Sequence, residues 1–213
     1  TGAARGTCDL RADNSVIFDF YDEFEEAAAS PIDWDLDNAS PATGALRQRG
    51  TDLTRAIGAS LGGLPFSGLV AFAGDNFFDA LVKHKEVYET YKNYSAAREL
   101  RNAILSVNNQ SASAGAWAEI DLFNIHWINY RGSSEFGISV PTDEARVVPM
   151  GVPGLFKSVY APADYIETVN TMGLEMYAKM FRMPNDKGMF TEHQQNVVHY
   201  CTRPRVIRKL TLT

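Results

Sequence analysis

Only two cysteines occur in 213 residues, Cys8 and Cys201, near opposite ends of the chain. Two thiols make no disulfide framework, so the fold must rest on its core. Both lie in strand-like segments and read as buried thiols of a reducing compartment. No apolar run approaches the roughly 20 residues that span a bilayer. The opening residues carry no signal-peptide pattern. The first residue is Thr1, which reads as a start inside a longer product, a cleavage product, or loss of an initiator Met before a small residue. Basic charge is not in excess either. The net charge is −6 and the isoelectric point about 5.2, so the chain on average repels a phosphate backbone.

Signatures of chemistry are equally scarce. The four histidines, His84, His126, His193 and His199, form no His-x-x-x-His pair and neighbour no Cys-x-x-Cys. His193 and His199 share strand parity, but six residues at about 3.3 Å each place them roughly 20 Å apart. There is no Gly-x-Ser-x-Gly elbow, phosphate loop or dinucleotide fingerprint. Asp19, Asp22 and Glu23 crowd together, yet neighbouring carboxylates are common on solvated surface. His199 stands two residues from Cys201, on the same side of a strand. A nucleophile with its base is the sharper reading; a core thiol beside a packed imidazole is the plainer one. The sequence thus assigns no catalytic, cofactor-binding or metal residues.

What is present suits a folded core. Hydrophobic residues make up 45% and charged ones 22%, with twelve Phe, nine Tyr and three Trp. The length allows one large domain or two modest ones. "RGTCDLRADNSVIFDFYDEF" alternates on both sides of Ala12 to Ser15, which predicts a hairpin with Val16, Phe18 and Phe20 on one face. "EEAAASPIDWDLDNASPATGA" reads as an extended connection. Leu53, Ile57 and Leu61 fall four apart, predicting a helix over Leu46 to Leu61, capped by Asp52 or Thr51 and stopped by Gly62-Gly63. Leu69 to Ala73 reads as a buried strand. Gly74-Asp75 turns it, with Asp75 accepting from free amides, into a helix with Phe77, Phe78, Leu81 and Val82 on its apolar face. Lys83, His84 and Lys85 end that helix, and a short one follows over Glu86 to Tyr91. "NYSAARELRNAILSV" reads as a helix with Leu100 and Ile104 inward, and "SVNNQSASAGA" as a loop.

In "WAEIDLFNIHWINYRG" the apolar parity changes partway. A bulge near Phe123 would reconcile the two registers, and so would a tight turn at Asp121 to Asn124. "ARVVPMG" is strand-like, and "QQNVVHYCTRPRVIRKLTLT" reads as two strands parted at Arg203-Pro204. Acids crowd Asp19 to Asp37, while Arg203, Arg205, Arg208 and Lys209 make the tail basic. Both read as solvated edges, with a nucleic-acid-binding tail as the competing possibility. The class is α+β, with strands at both ends of the chain.

Five stretches, "RGTCDLRADNSVIFDFYDEF", "GDNFFDALVKHKEVYETY", "INYRG", "DEARVVPMGVPGLFKSVYAPADYIETVNTMGLEMYAK" and "HYCTRPRVI", resemble the lambda-type phage major capsid protein family, phage major capsid protein E. They run in order from first residues to last. The resemblance implies a Hong-Kong-97-type capsid fold lacking N-terminal arm, extended loop and spine helix. Residues 1–40 would supply peripheral-domain strands and a connection, 41–188 mainly the axial domain, and 189–213 strands returning to the peripheral domain. It also implies a major capsid (head) protein of a tailed phage or prophage, without enzymatic activity or cofactor. Such a protein would self-assemble, through pentamers and hexamers, into an icosahedral shell around double-stranded DNA. Scaffold, portal and decoration proteins would be further partners. There would be no membrane and no sequence-specific DNA contact, and the shell would assemble in the bacterial host cytoplasm. The net negative charge suits a container that must not trap its DNA. The resemblance also gives "YAPADYIETVNTMGLEMYAK", Tyr160 to Lys179, a role in shaping the axial lobe and its contacts. Tyr160, Tyr165 and Tyr177 would bury rings while their hydroxyls find partners, and Thr168, Asn170 and Thr171 would pin an irregular loop. A cysteine- or carboxylate-dependent hydrolase is the alternative of a different class, carried by Cys201 with His199 or by Asp19 with Glu23.

Overall fold

The computed structural model describes residues 7–9, 16–38, 40–92, 118–130 and 140–213, with backbone alone at 7–9, 16–18 and 90–92. The expected helix with Leu100 and Ile104, the polar loop after it, the Ala12–Ser15 turn and the side chain of Cys8 lie outside the described residues.

β1 (Thr7–Asp9) pairs antiparallel with β2 (Val16–Asp19), as the alternation predicts. Phe20 does not continue that strand. The Asp19 carboxylate accepts from the Tyr21 N–H at 2.9 Å, which caps a short helix, α1 (Phe20–Glu23). The connection after it is more than a spacer. It supplies β3 (Ile32–Asp33) and two buried side chains, Trp34 and Leu36.

α2 (Ala45–Leu61) begins one residue before the expected Leu46 and is capped by Gly44, so Thr51 and Asp52 sit inside it and not at its cap. Leu46, Leu53, Ile57 and Leu61 form its buried stripe. Gly62 ends it with φ +63, the left-handed conformation glycine adopts without penalty. β4 (Gly68–Ala73) buries every second residue, then α3 (Asp75–Lys83) and α4 (Lys85–Lys92) follow. Gly74 is the α3 N-cap, and the Asp75 carboxylate accepts from Asn129 Nδ2 at 2.9 Å.

β5 (Glu119–Leu122) and β6 (Ile125–Asn129) are a hairpin, not a bulged strand. Phe123 and Asn124 both take positive φ, 58° and 62°, as a two-residue hairpin loop of primed type requires. Cross-strand partners share a face, so Ile120 opposite Trp127 and Leu122 opposite Ile125 all point one way. The change of parity along the sequence is the mark of the chain reversing.

β7 (Glu144–Met150), β8 (Phe156–Tyr160), β9 (Tyr177–Arg182), β10 (Met189–Gln194), β11 (Val197–Cys201) and β12 (Arg208–Thr211) complete the strands. One six-stranded sheet runs β3-β12-β7-β4-β6-β5. The β3–β12 and β4–β6 pairs are parallel and the other pairs antiparallel. Pro149 is tolerated within β7 because β12 pairs only as far as Val147, leaving no partner that needs its N–H. Leu69, Ala71, Ile125, Trp127, Val147 and Leu210 face α2 and α3 in one main core. At its centre the Trp34 ring meets Trp127 edge-on at 4.9 Å and Phe77 at 6.4 Å. A smaller cluster of Val148, Leu155, Cys201 and Ile207 lies beside it.

Among the described residues, the segments 20–33 and 200–211 meet. Leu210 pairs with Ile32, and Phe20 and Phe24 stack on Tyr200 at 6.0 and 6.2 Å.

Candidate assembly surface

Between Leu155 and Thr202 the chain leaves the main sheet as a two-stranded ribbon. β8 pairs with β11 at its base and β9 with β10 at its outer end. The intervening segment, 161–176, is pinned at several points. Ala161 N–H donates to Asn196 O at 2.8 Å and Asn196 Nδ2 to Pro162 O at 2.9 Å. Thr168 Oγ1 donates to the carbonyls of Ala163 and Tyr165, and Thr171 Oγ1 to Thr168 O at 2.8 Å. Asn170 takes φ +58. Gly173 passes so close to β8 that a Cβ there would lie 2.0 Å from Tyr160 O. The threonines thus fix the loop in the expected way, while Asn170 contributes a left-handed turn of the backbone.

The tyrosines divide. Tyr177 Oη accepts from Leu174 N–H at 2.9 Å and donates to Met172 O at 3.3 Å. Tyr165 does not follow the expectation: its hydroxyl is buried with no hydrogen-bond partner. Lys179 Nζ lies over the Tyr165 ring at 4.9 Å and pairs with Glu167 at 2.7 Å, which ties the loop to β9.

The ribbon's surface is unusual for a chain folded on itself. Among the described residues fifteen large hydrophobic side chains are exposed, and twelve of them lie between Phe156 and Phe190. Ile166 is 93% and Met172 90% exposed. Scattered exposed apolar residues are ordinary, but a concentration of this kind marks a contact surface. A two-stranded ribbon alone is also marginal in water, so a face must be covered for it to hold.

The residues weighed for chemistry are placed differently. Cys201 is buried among Val148, Leu155 and Ile207, and burial pushes its thiol pKa up, away from the thiolate a nucleophile needs. His199 is exposed, and its Nδ1 bonds to Ser158 Oγ at 2.8 Å. Asp19 is spent as a helix cap. His84 is buried at the end of α3, and His126 stands between Asp121, at 2.6 Å, and Glu119, at 3.7 Å. His193 is exposed on β10. Two surface depressions, of about 340 and 580 Å³, contain none of Cys201, Asp19 or Glu23.

The basic tail is not a solvated edge. Arg203 donates to Leu61 O at 2.6 Å, and Arg208 to Ser60 Oγ at 2.6 Å and Ala56 O at 3.4 Å. Arg203 thereby satisfies a carbonyl of the last turn of α2 that has no partner within the helix, and both cations sit at the end where the dipole favours positive charge. Lys209 pairs with Glu144 across the sheet. The acidic stretch is mainly the solvated edge expected, with Asp22, Glu23, Glu25, Asp33 and Asp37 exposed, although Asp35 pairs with Arg49 at 3.2 Å and Glu26 accepts from the Arg205 N–H at 3.3 Å. Neither set of contacts could be assigned from sequence, because both partners of each contact lie far apart in the chain.

A family model described as phage major capsid protein E matches residues 1–212. The major capsid protein of Pseudomonas phage KPP10 is 28% identical over 201 residues, covering 90% of this chain and 55% of that protein. The chain therefore spans about half the length of the curated relative it matches. A solved structure described as a capsid protein of a prophage of E. coli CFT073 is similar with a TM-score of 0.48 and 14% identity, over 85% of this chain and 52% of that one.

Proposed function

Because this chain, matched from residue 1 to 212, belongs to the phage major capsid protein E family, we propose that it serves in a major capsid (head) protein of a tailed phage or prophage. Copies associate, through rings of five and six, into the icosahedral shell that encloses double-stranded DNA. The observation that carries this reading is the ribbon, with twelve exposed large hydrophobics between Phe156 and Phe190. A surface of that kind suits a subunit whose fold is completed by neighbours, and closed symmetry repeats each contact many times. The role is structural and uses no cofactor. Scaffold, portal and decoration proteins are the further partners, the virion shell is its final location, and assembly takes place in the host cytoplasm.

The same reading assigns a Hong-Kong-97-type arrangement, with peripheral parts in residues 1–40 and 189–213 and a mainly axial part in 41–188. Pairing of β3 with β12 and stacking of Phe20 and Phe24 on Tyr200 support grouping the two outer segments. The internal use of Arg203, Arg208 and Lys209 supports a container that touches DNA without gripping it. Negative-stain microscopy of the full-length product, expressed alone and with its scaffold, tests the function. Closed shells of uniform size are expected; a persistent monomer under both conditions contradicts it.

A further inference from the structure

All six methionines of the chain are exposed, from 39% at Met183 to 90% at Met172. Methionine is among the residue types most often buried, yet the core here is built from Trp, Phe, Leu, Ile, Val and Ala. Five of the six, Met172, Met176, Met180, Met183 and Met189, fall within eighteen residues on the ribbon and its loop.

The ribbon's two faces are not equivalent. Phe181 stacks on Phe190, at 5.5 Å between ring centroids, on the face that also carries Lys179 and Tyr177, the side chains bonded to loop 161–176. Met180 and Met189 lie on the opposite face with Ala178, Arg182, Thr191 and His193, where strand alternation places them. Met183 N–H donates to Gly188 O at 2.9 Å, which fixes the hydrogen-bonded pairs of β9 and β10 by alternation. The backbone groups of Met180 and Met189 then point outward, to the two open edges.

We propose that this face, through Met180 and Met189, is covered by a second copy of the chain, and that methionine is used because the same contact is made at more than one angle. This rests on the shell reading above. A shell built from rings of five and six presents one surface to its neighbours in differing orientations. Unbranched, polarizable thioether side chains re-pack across such differences, whereas branched residues fit one geometry. Charge favours an identical partner over a polyanion. Residues 156–194 carry four Lys/Arg against five Asp/Glu, while the whole chain is at −6. Two of the cations are already held, Lys179 by Glu167 at 2.7 Å and Arg182 by Asp186 at 3.3 Å. The ribbon as a whole is near neutral, and Arg182, the one charged strand residue of this face, is neutralised by Asp186, so the face neither repels its own copy nor attracts phosphate.

The test uses full-length protein as free subunits and as particles assembled from that protein alone. Both are exposed to dilute hydrogen peroxide beside a methionine peptide as dosimeter, and sulfoxides are mapped by peptide mass spectrometry. Met180 and Met189 are expected to oxidise roughly tenfold more slowly in particles than in free subunits. A Met180→Gln/Met189→Gln pair is expected to stop particle formation with the subunit's thermal unfolding unchanged. A Met180→Leu/Met189→Leu pair is expected to retain association but give particles of mixed size. Equal oxidation in both states overturns the proposal, as does normal assembly of the Gln pair or uniform particles from the Leu pair. Protection that appears only when a second protein is added assigns the face to that protein and also overturns it. Failure of the unaltered chain to form particles, with or without scaffold, overturns the shell reading itself.

Discussion

His84 shows how one buried group sets a pH dependence. Its Nδ1 accepts from the Glu86 N–H at 3.2 Å, which requires a neutral imidazole. Burial lowers its pKa from the usual 6.5, against the opposing pull of Glu86 and Asp35 and with help from Arg49. A group whose folded pKa is depressed contributes stability that is complete above its unfolded value and is lost as pH falls through the folded one. Stability followed by urea denaturation is therefore expected to decline from pH 7 toward pH 5, with a shallower decline in His84→Gln. Trp34 sits fully buried against Trp127 and Phe77, with its indole N–H unpaired. Trp34→Ala should cost about 3–5 kcal/mol in the same assay. Trp34→Phe should cost less, because it keeps a ring and removes the unsatisfied donor. Nothing in the local sequence marks Trp34 as the centre of the core. It lies in a stretch rich in Asp and Pro, and only its position after β3 brings it under the sheet.

At the scale of elements, α2 and the β5–β6 hairpin meet at Gly50. A Cβ at Gly50 would stand 2.8 Å from Phe123 Cβ, so the close approach depends on glycine. In an isolated helix Gly50→Ala would gain about 1 kcal/mol. Here overpacking against Phe123 costs about 1–3 kcal/mol, and a net loss of stability is expected from chemical denaturation. The apolar stripe of α2, the β4–α3 unit, the β7 strand and the two separate strands at the end were legible from periodicity, because each alternates or repeats on its own. The start of α2 was legible to one residue but its cap was not, because the N-cap is Gly44, which bonds through no side chain. The β5–β6 turn stayed ambiguous because Phe123 and Asn124 are not the Asn-Gly pair that announces a two-residue loop. The ribbon was half legible: its threonines and Asn170 spoke for an irregular loop, but exposure of its apolar residues belongs to the tertiary structure.

The whole molecule combines a closed core with an open appendage. The six-stranded sheet, α2 and α3 bury their apolar faces within the chain, while the ribbon leaves its own uncovered. Family membership was legible because five motifs run collinear along the sequence, whereas the arrangement of Cys201 and His199 was not, since burial and not spacing separates their roles. Under the proposed shell role the ribbon is closed by copies of the same chain, and amide hydrogen exchange registers that closure. Exchange in full-length protein is compared between free subunits and assembled particles, with β4, β6 and β7 as internal reference. Slow exchange of those three strands is expected in both states, with exchange of β9 and β10 fast in free subunits and slow in particles. Exchange of β9 and β10 that is equally fast in the particle would contradict that closure.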